Sequence, residues 1–271
     1  VGGTPPMMTH IFGNQQGEII IAAKGAPERL LRQSTLDEDS INRIELQSHA
    51  YAREGLRVLG VGQGFWEGDA WPVSQDDFRF RFIGLLAFQD PPKENIRDTI
   101  DGFERAGIDV KMITGDYAET ALAIARQSGL NHDGNAVLTG KEVLQLDSPA
   151  LREAVQKVDI FARMFPEAKL KVIDALKENG EVVAMTGDGV NDGPALKAAH
   201  IGIAMGARGS EVARSAASLI LVDDDLSHML AAVALGRKIY DNLKKAIQYI
   251  VSIHIPIILI VLMPLLLGWA F

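Results

Sequence analysis

Met185-Thr186-Gly187-Asp188-Gly189-Val190-Asn191-Asp192-Gly193-Pro194 ends an apolar run, residues 182–185, with two carboxylates, an amide and three glycines. Val182, Val183, Ala184 and Met185 suit a buried strand of a parallel sheet, and residues 192–199 suit a helix with Asp192 at its N-cap. The loop between them then lies at the carboxyl end of the strand, where open α/β sheets bind ligands. Glycines let backbone N–H groups approach an anion, and carboxylates hold a hard cation such as Mg²⁺. A tight strand-to-helix turn is the plainer alternative.

The same rhythm extends to both sides. Residues 95–106 form a helix closed by Gly107, residues 110–113 a short apolar strand, and Thr114-Gly115-Asp116 a second polar strand end before a helix over 117–128. Ile160-Phe161 leads to Arg163 and to a helix over 167–179 closed by Gly180. Downstream, strand 201–205 leads to Gly206 and Gly209, and strand 219–222 leads to Asp223-Asp224-Asp225. Alternating strands and helices predict a parallel, Rossmann-like sheet with helices on both faces. Its ligand edge collects Thr114, Asp116, Lys169, Asp188, Asn191 and Asp192. Phosphoryl transfer spreads negative charge over phosphoryl oxygens, and a lysine, a hydroxyl donor and carboxylate-bound Mg²⁺ stabilise that charge. The aspartate run is read as capping the helix that follows rather than as a metal site.

The first ninety or so residues follow another order. Residues 17–23 give a strand, Lys24-Gly25-Ala26-Pro27-Glu28 turns the chain into a short helix through Leu31, and a longer helix covers 36–54. That helix carries Asp37, Glu38 and Asp39 in its first turn and has Gly55 just past its end. Residues 57–65 and 78–88 read as strands, so this part is α+β. Lys24 and Arg57 are its candidate phosphate contacts, with ordinary solvated charges as the alternative. Asp90-Pro91-Pro92-Lys93 marks a boundary, either a hinge or a plain linker.

The last helix changes the class of the protein. It runs from Leu226 through Arg237, Lys238, Lys244 and Lys245 into residues 250–271, a stretch with no acidic or permanently basic side chain. That is about the twenty residues needed to cross a bilayer. Lysines before the span and Trp269 near its far end predict a cytoplasmic start and an interfacial anchor, so residues 1 to about 245 are expected to be cytoplasmic. Pro256 and Pro264 are expected to break local backbone bonds, and His254 is a candidate polar group in an ion path or a partner for a neighbouring helix. With 271 residues and 47% hydrophobic content the chain has room and material for a core. A net charge of -8 argues against general nucleic-acid binding, and the lack of cysteine excludes disulfides and thiolate metal sites. Val1 in place of Met suggests a piece of a longer chain.

Lys24-Gly25-Ala26-Pro27-Glu28, Asp90-Pro91-Pro92-Lys93, Met112-Ile113-Thr114-Gly115-Asp116 and Thr186-Gly187-Asp188-Gly189-Val190-Asn191-Asp192, in this order ahead of a membrane span, resemble the P-type cation-transporting ATPases. More narrowly, the set is similar to the type II pumps related to calcium and sodium/potassium ATPases. The resemblance implies a HAD-like Rossmannoid α/β phosphorylation domain over residues 90–235. It would be preceded by the α+β C-terminal part of a nucleotide-binding domain, 1–89, and followed by a stalk and transmembrane helix, 236–271. It further implies a multi-pass membrane protein when intact, using ATP and Mg²⁺. Its partners would be a transported cation, the lipid membrane and the missing N-terminal part of the same pump, with no nucleic acid.

Residue by residue, the resemblance implies that Lys24 and Arg57 contact ATP and that Asp90 and Pro91 belong to the hinge. Thr114, Gly115 and Asp116 would meet the phosphoryl group and nucleotide, and Lys169 would steady an aspartyl phosphate, with Arg163 nearby toward the nucleotide. Asp188 matches the Mg²⁺ ligand, supported by Asn191 and by Asp192, which is also a metal candidate.

The chain departs from the family pattern in two places. No Asp-Lys-Thr-Gly-Thr string occurs, so the phosphorylated aspartate and the adenine-stacking aromatic residue would lie upstream, and this chain alone is not expected to turn over ATP. In the span, His254 and Ile257 stand where calcium pumps carry Asn and Glu, which leaves the ion open. A membrane-tethered HAD-like protein that binds nucleotide or Mg²⁺ without transport is the alternative reading.

Overall fold

Strands β1 (Met7–Gly13), β2 (Ile19–Gly25), β3 (Arg57–Phe65) and β4 (Arg79–Phe88) form an antiparallel sheet in that order. The computed structural model describes residues 7–16, 18–66, 70–130 and 137–268. Sequence pattern did not reveal β1, which pairs with β2 from Met7 opposite Gly25 to Gly13 opposite Ile19. The turn between them is tied by Asn14, whose Oδ1 accepts from Gln16 N and Glu18 N. The first position of the expected strand over 17–23 lies outside the described residues.

One face of this sheet is covered by α1 (Pro27–Arg32), and α2 (Glu38–Arg53) follows. Inward positions on β3 are Val58, Gly60, Gly62 and Gly64, and the glycines are there for close approach. A Cβ on Gly60 would lie 3.2 Å from Pro27 Cα, and one on Gly62 would lie 3.1 Å from Leu30 Cδ2. Leu30 can therefore sit directly on the strand and pack with Met7, Ile21, Ala23, Phe78 and Phe80. Asp37 caps α2 by accepting from Ser40 N at 2.7 Å, and Gly55 ends it at φ +83°.

The remainder of the first unit alternates strand and helix. In chain order come α3 (Ile96–Arg105), β5 (Met112–Ile113), α4 (Ala118–Ser128), β6 (Val137–Thr139), α5 (Gly140–Gln145), α6 (Ser148–Lys157), β7 (Ile160–Ala162) and α7 (Pro166–Glu178). Then follow β8 (Ala184–Gly187), α8 (Gly193–Ala198), β9 (Ile201–Met205), α9 (Glu211–Ala216) and β10 (Leu219–Leu221). All pairings are parallel, as expected, but among the described residues they form two ladders, β5-β7-β6 and β10-β9-β8, rather than one sheet. Helix α7 serves both: Val172 and Ala175 pack with Phe161 and Val155, whereas Ile173 packs with Met185, Leu196 and Ala204. Ile113 of β5 touches both cores.

Three local expectations are corrected, the last of them in part. Strand β8 starts at Ala184, not Val182, because the Val183 N–H is taken by His200 Nδ1 at 3.1 Å and Val182 is exposed. Asp192 occupies the N-cap position of α8 but makes no cap bond, since its carboxylate is engaged elsewhere. The aspartate run divides: Asp225 Oδ1 accepts from Ser227 N at the start of the following helix, as expected, whereas Asp224 turns back at φ 58° and accepts from Ala207 N and Arg208 N, each at 3.0 Å, and so staples a loop.

Residues Asp225–Phe271 form a second unit. Its helix α10 (Ser227–Leu267) is continuous through Pro256 and Pro264, with Asp225 Oδ1 accepting from Ser227 N at the start and Gly268 in the left-handed region at the end. The prolines do not break it. Its 41 residues extend about 60 Å at 1.5 Å per residue, roughly twice the hydrocarbon thickness of a bilayer. It is long and apolar enough to cross a membrane, and His254 Nδ1 meets its own helix at Ile250 O, 2.8 Å away.

Candidate functional site

The site grows from the carboxyl ends of β5, β7 and β8. Parallel pairing carries Thr114 N onto Phe161 O at 2.8 Å, then Met164 N onto Thr114 O at 2.9 Å and Arg163 N onto Asp116 O at 3.0 Å. These bonds zip the loop after β5 to the loop after β7. Inside the first loop, the Thr114 hydroxyl accepts from Asp116 N and donates to Asp116 Oδ2, both at 3.1 Å. Arg163, whose N–H donates to Asp116 O, adopts the left-handed region at φ 52°.

A second group forms around the loop after β8. Lys169, in the first turns of α7, meets Asp192 Oδ1 at 2.6 Å, with the two side chains only 12% and 10% exposed. The other oxygen, Oδ2, accepts from Gly189 N at 3.1 Å. Gly187 must be glycine here, because a Cβ would lie 2.6 Å from Asp192 Cβ. The loop is also held through its backbone, where Ser210 N donates to Asp188 O at 2.7 Å. Asp188 and Asn191 themselves are exposed at the tip.

The expected residues thus divide. Thr114, Gly115, Asp116 and Arg163 share the β5–β7 end, and Arg57 joins them from β3 through Asp116, 3.4 Å from Nε to Oδ1. Lys169, Asp188, Asn191 and Asp192 share the β8 end. Lys24 stays on β2, exposed and in register with Val61 and Met8, with no ion pair among the described residues. Both oxygens of Asp192 are engaged, so Asp188 offers the accessible carboxylate for a cation. Among the described residues no group of three or more His, Asp or Glu could enclose a metal ion. One free carboxylate suits Mg²⁺, which keeps several waters and takes its remaining oxygens from a substrate phosphate.

Reading the sequence missed Glu28 and Tyr117. Glu28 accepts from the Arg163 guanidinium and from the Tyr117 hydroxyl, and Arg163 also lies 3.8 Å over the Tyr117 ring. Burial, and then the Glu28 carboxylate beside it, push the Tyr117 phenol above its ordinary pKa. His49 meets Glu119 at 2.9 Å and Tyr117 edge-on, and Thr120 Oγ1 donates to Leu56 O at 3.1 Å. The only signal for this cluster was that Glu28 closes the Lys24–Glu28 motif and Tyr117 follows Asp116; residues 135 and 89 positions apart give no local pattern.

Comparison with known proteins adds the relatives. A family model described as haloacid dehalogenase-like hydrolase matches residues 22–200. Calcium-transporting ATPase 1 of Lactococcus lactis is 39% identical over 272 residues, covering 94% of this chain and 30% of that protein. The calcium-transporting ATPase of Bacillus subtilis is 38% identical, covering 97% of this chain and 31% of that protein. Calcium-transporting ATPase type 2C member 2 of Mus musculus is 38% identical, covering 89% and 26%. The chain therefore spans less than a third of the length of these curated relatives.

Proposed function

Because the chain belongs to the haloacid dehalogenase-like hydrolase family and its relatives are cation-transporting ATPases, we propose that it is part of an ATP-driven cation pump that passes through an aspartyl phosphate. In this reading residues 1–89 are the C-terminal part of a nucleotide-binding domain, 90–235 the phosphorylation domain and 236–271 a stalk and transmembrane helix. Residues 1 to about 245 face the cytoplasm, with the juxtamembrane lysines on that side. The observation that carries it is the Lys169–Asp192 pair, which braces the loop after β8 from inside and leaves Asp188 free at its tip.

The nucleophile belongs to an upstream segment. Strands β5 and β8 each end a ladder, and Ile113 packs against the cores of both. An added parallel strand between them would join the two ladders and deliver an aspartate between Thr114 and Asp188. There the Thr114 hydroxyl would donate to a phosphoryl oxygen and Lys169 would add positive charge close by. Asp188, with Asn191 and Asp192 in support, would hold Mg²⁺, which neutralises phosphate charge when bound. Arg57, Arg163 and Lys24 would meet the nucleotide. Which cation is carried is set by residues of the membrane region as a whole.

Phosphoenzyme formation from radiolabelled ATP in the full-length protein tests this. Asp188→Ala should abolish Mg²⁺-dependent labelling of the upstream aspartate. Unchanged labelling would exclude Asp188 as the Mg²⁺ ligand, and absence of any phosphoenzyme in the native protein would favour a tethered binding protein without transport.

A further inference from the structure

Two arginines expected to meet a nucleotide are each already neutralised by a carboxylate from another part of the first unit. Arg57 of β3 faces Asp116 after β5, and Arg163 after β7 is held by Glu28 of α1. The pairs are crossed: the antiparallel layer contributes one cation and one anion, and the parallel part contributes the reciprocal charges. We propose that Glu28 is an affinity-setting residue of the nucleotide site, an internal competitor that holds Arg163 until a phosphate group displaces it. The inference rests on the assignment of Arg163 to a nucleotide site.

Three features make the exchange physically reasonable. First, the Arg163 and Glu28 side chains are 23% and 20% exposed, so an incoming anion reaches the pair without opening a core. Second, carboxylate and phosphate oxygens present similar acceptors to the planar guanidinium fork, so one can replace the other without rebuilding the donor. Third, the backbone of Arg163 is pinned by its N–H bond to Asp116 O, while its guanidinium rests on the Tyr117 ring. Only the side chain has to move, and the ring supports it by cation–π attraction. After the exchange Glu28 keeps the Tyr117 hydroxyl as a donor, so its carboxylate is not stranded. A carboxylate that served only to tie α1 to the β7 loop would instead help assemble the site, and its loss would weaken binding.

Isothermal titration of the full-length protein with MgATP and, separately, with adenosine distinguishes these roles. Glu28→Gln should bind MgATP about tenfold more tightly, equivalent to about 1.4 kcal/mol, with adenosine affinity unchanged because adenosine has no phosphate to claim Arg163. Arg163→Gln should weaken MgATP, and in that background Glu28→Gln should have no further effect. Tyr117→Phe keeps the ring but removes the donor that Glu28 retains after the exchange, so it should weaken MgATP with adenosine unchanged, and that loss should disappear in the Glu28→Gln background. If Arg163→Gln weakens MgATP but Glu28→Gln does not tighten it, the competition is refuted while the nucleotide site stands. Equal tightening of ATP and adenosine also refutes it. If the native protein binds neither ligand, the nucleotide reading fails and takes this proposal with it.

Discussion

Replacing Lys169 by Met removes one half of the pair that supports the loop after β8. The side chains are 12% and 10% exposed, so the change leaves Asp192 ionised with little water and a single remaining bond, from Gly189 N at 3.1 Å. Removing one partner of a buried ion pair costs about 3–5 kcal/mol. The surviving bond and slight solvent access place this case near the lower end, about 3 kcal/mol. With a urea slope of about 3 kcal/mol per molar, the unfolding midpoint of the full chain in detergent micelles should fall by roughly 1 M. Far-UV circular dichroism reports it, since α10 remains in the micelle and adds a constant signal. Neutralising the partner as well, Lys169→Met with Asp192→Asn, should recover about 2 kcal/mol, because the stranded charge is gone and the amide oxygen still accepts from Gly189 N. A Lys169→Met midpoint close to that of the native protein, or a double variant whose cost is the sum of the single ones, would show that the pair is not an energetic unit.

Gly187→Ala places a Cβ 2.6 Å from Asp192 Cβ and 2.9 Å from its Cγ, so it should dislodge the carboxylate from Lys169. A cost of about 1–3 kcal/mol is expected, with phosphoenzyme in the full-length protein reduced at least about tenfold; near-native labelling would contradict the packing argument. Asp224→Asn should lower the urea midpoint at neutral pH. Burial raises the Asp224 pKa, but the N–H groups of Ala207, Arg208 and Gly206, with the Arg208 charge, outweigh it and hold the carboxyl below 3.8. A folded-state pKa below the unfolded value stabilises above that value and loses its effect as pH falls through the folded one. The gap between native and Asp224→Asn midpoints should therefore narrow below pH 3.8, and a gap that stays constant on further acidification would sink the assignment. Ile260→Arg puts a charge in the apolar part of α10 at a cost of about 2.5–3.5 kcal/mol, so carbonate extraction should release more of the chain from membranes. Equal retention of both proteins would mean that α10 is not the anchor.

Most of the secondary structure was legible because its causes are local. Gly55, Gly107, Gly129 and Gly180 all adopt positive φ at helix ends, and each follows an amphipathic stretch that sequence alone can mark. Strand β9 fell on its expected residues because apolar content and flanking turns agree there. Less legible was β1, whose side chains are mostly exposed, and pattern reading missed the elements of residues 137–157 although Thr139 and Glu142 form a capping box at α5 and Asp147 caps α6. Start positions slipped where a distant group intervened, as His200 does at Val183.

The functional residues show the same division. By itself the sequence determined that Thr114, Asp116, Lys169, Asp188, Asn191 and Asp192 sit at or near strand ends, since strand polarity and loop composition require only neighbours in the chain. Tertiary structure alone decided which of them meet. It gave Asp192 to Lys169 and Gly189, left Asp188 exposed, and paired Arg163 with Glu28 across 135 positions. Local propensity acts over a few residues, whereas a charge chooses its partner by distance in space, after packing has set which strand ends lie side by side.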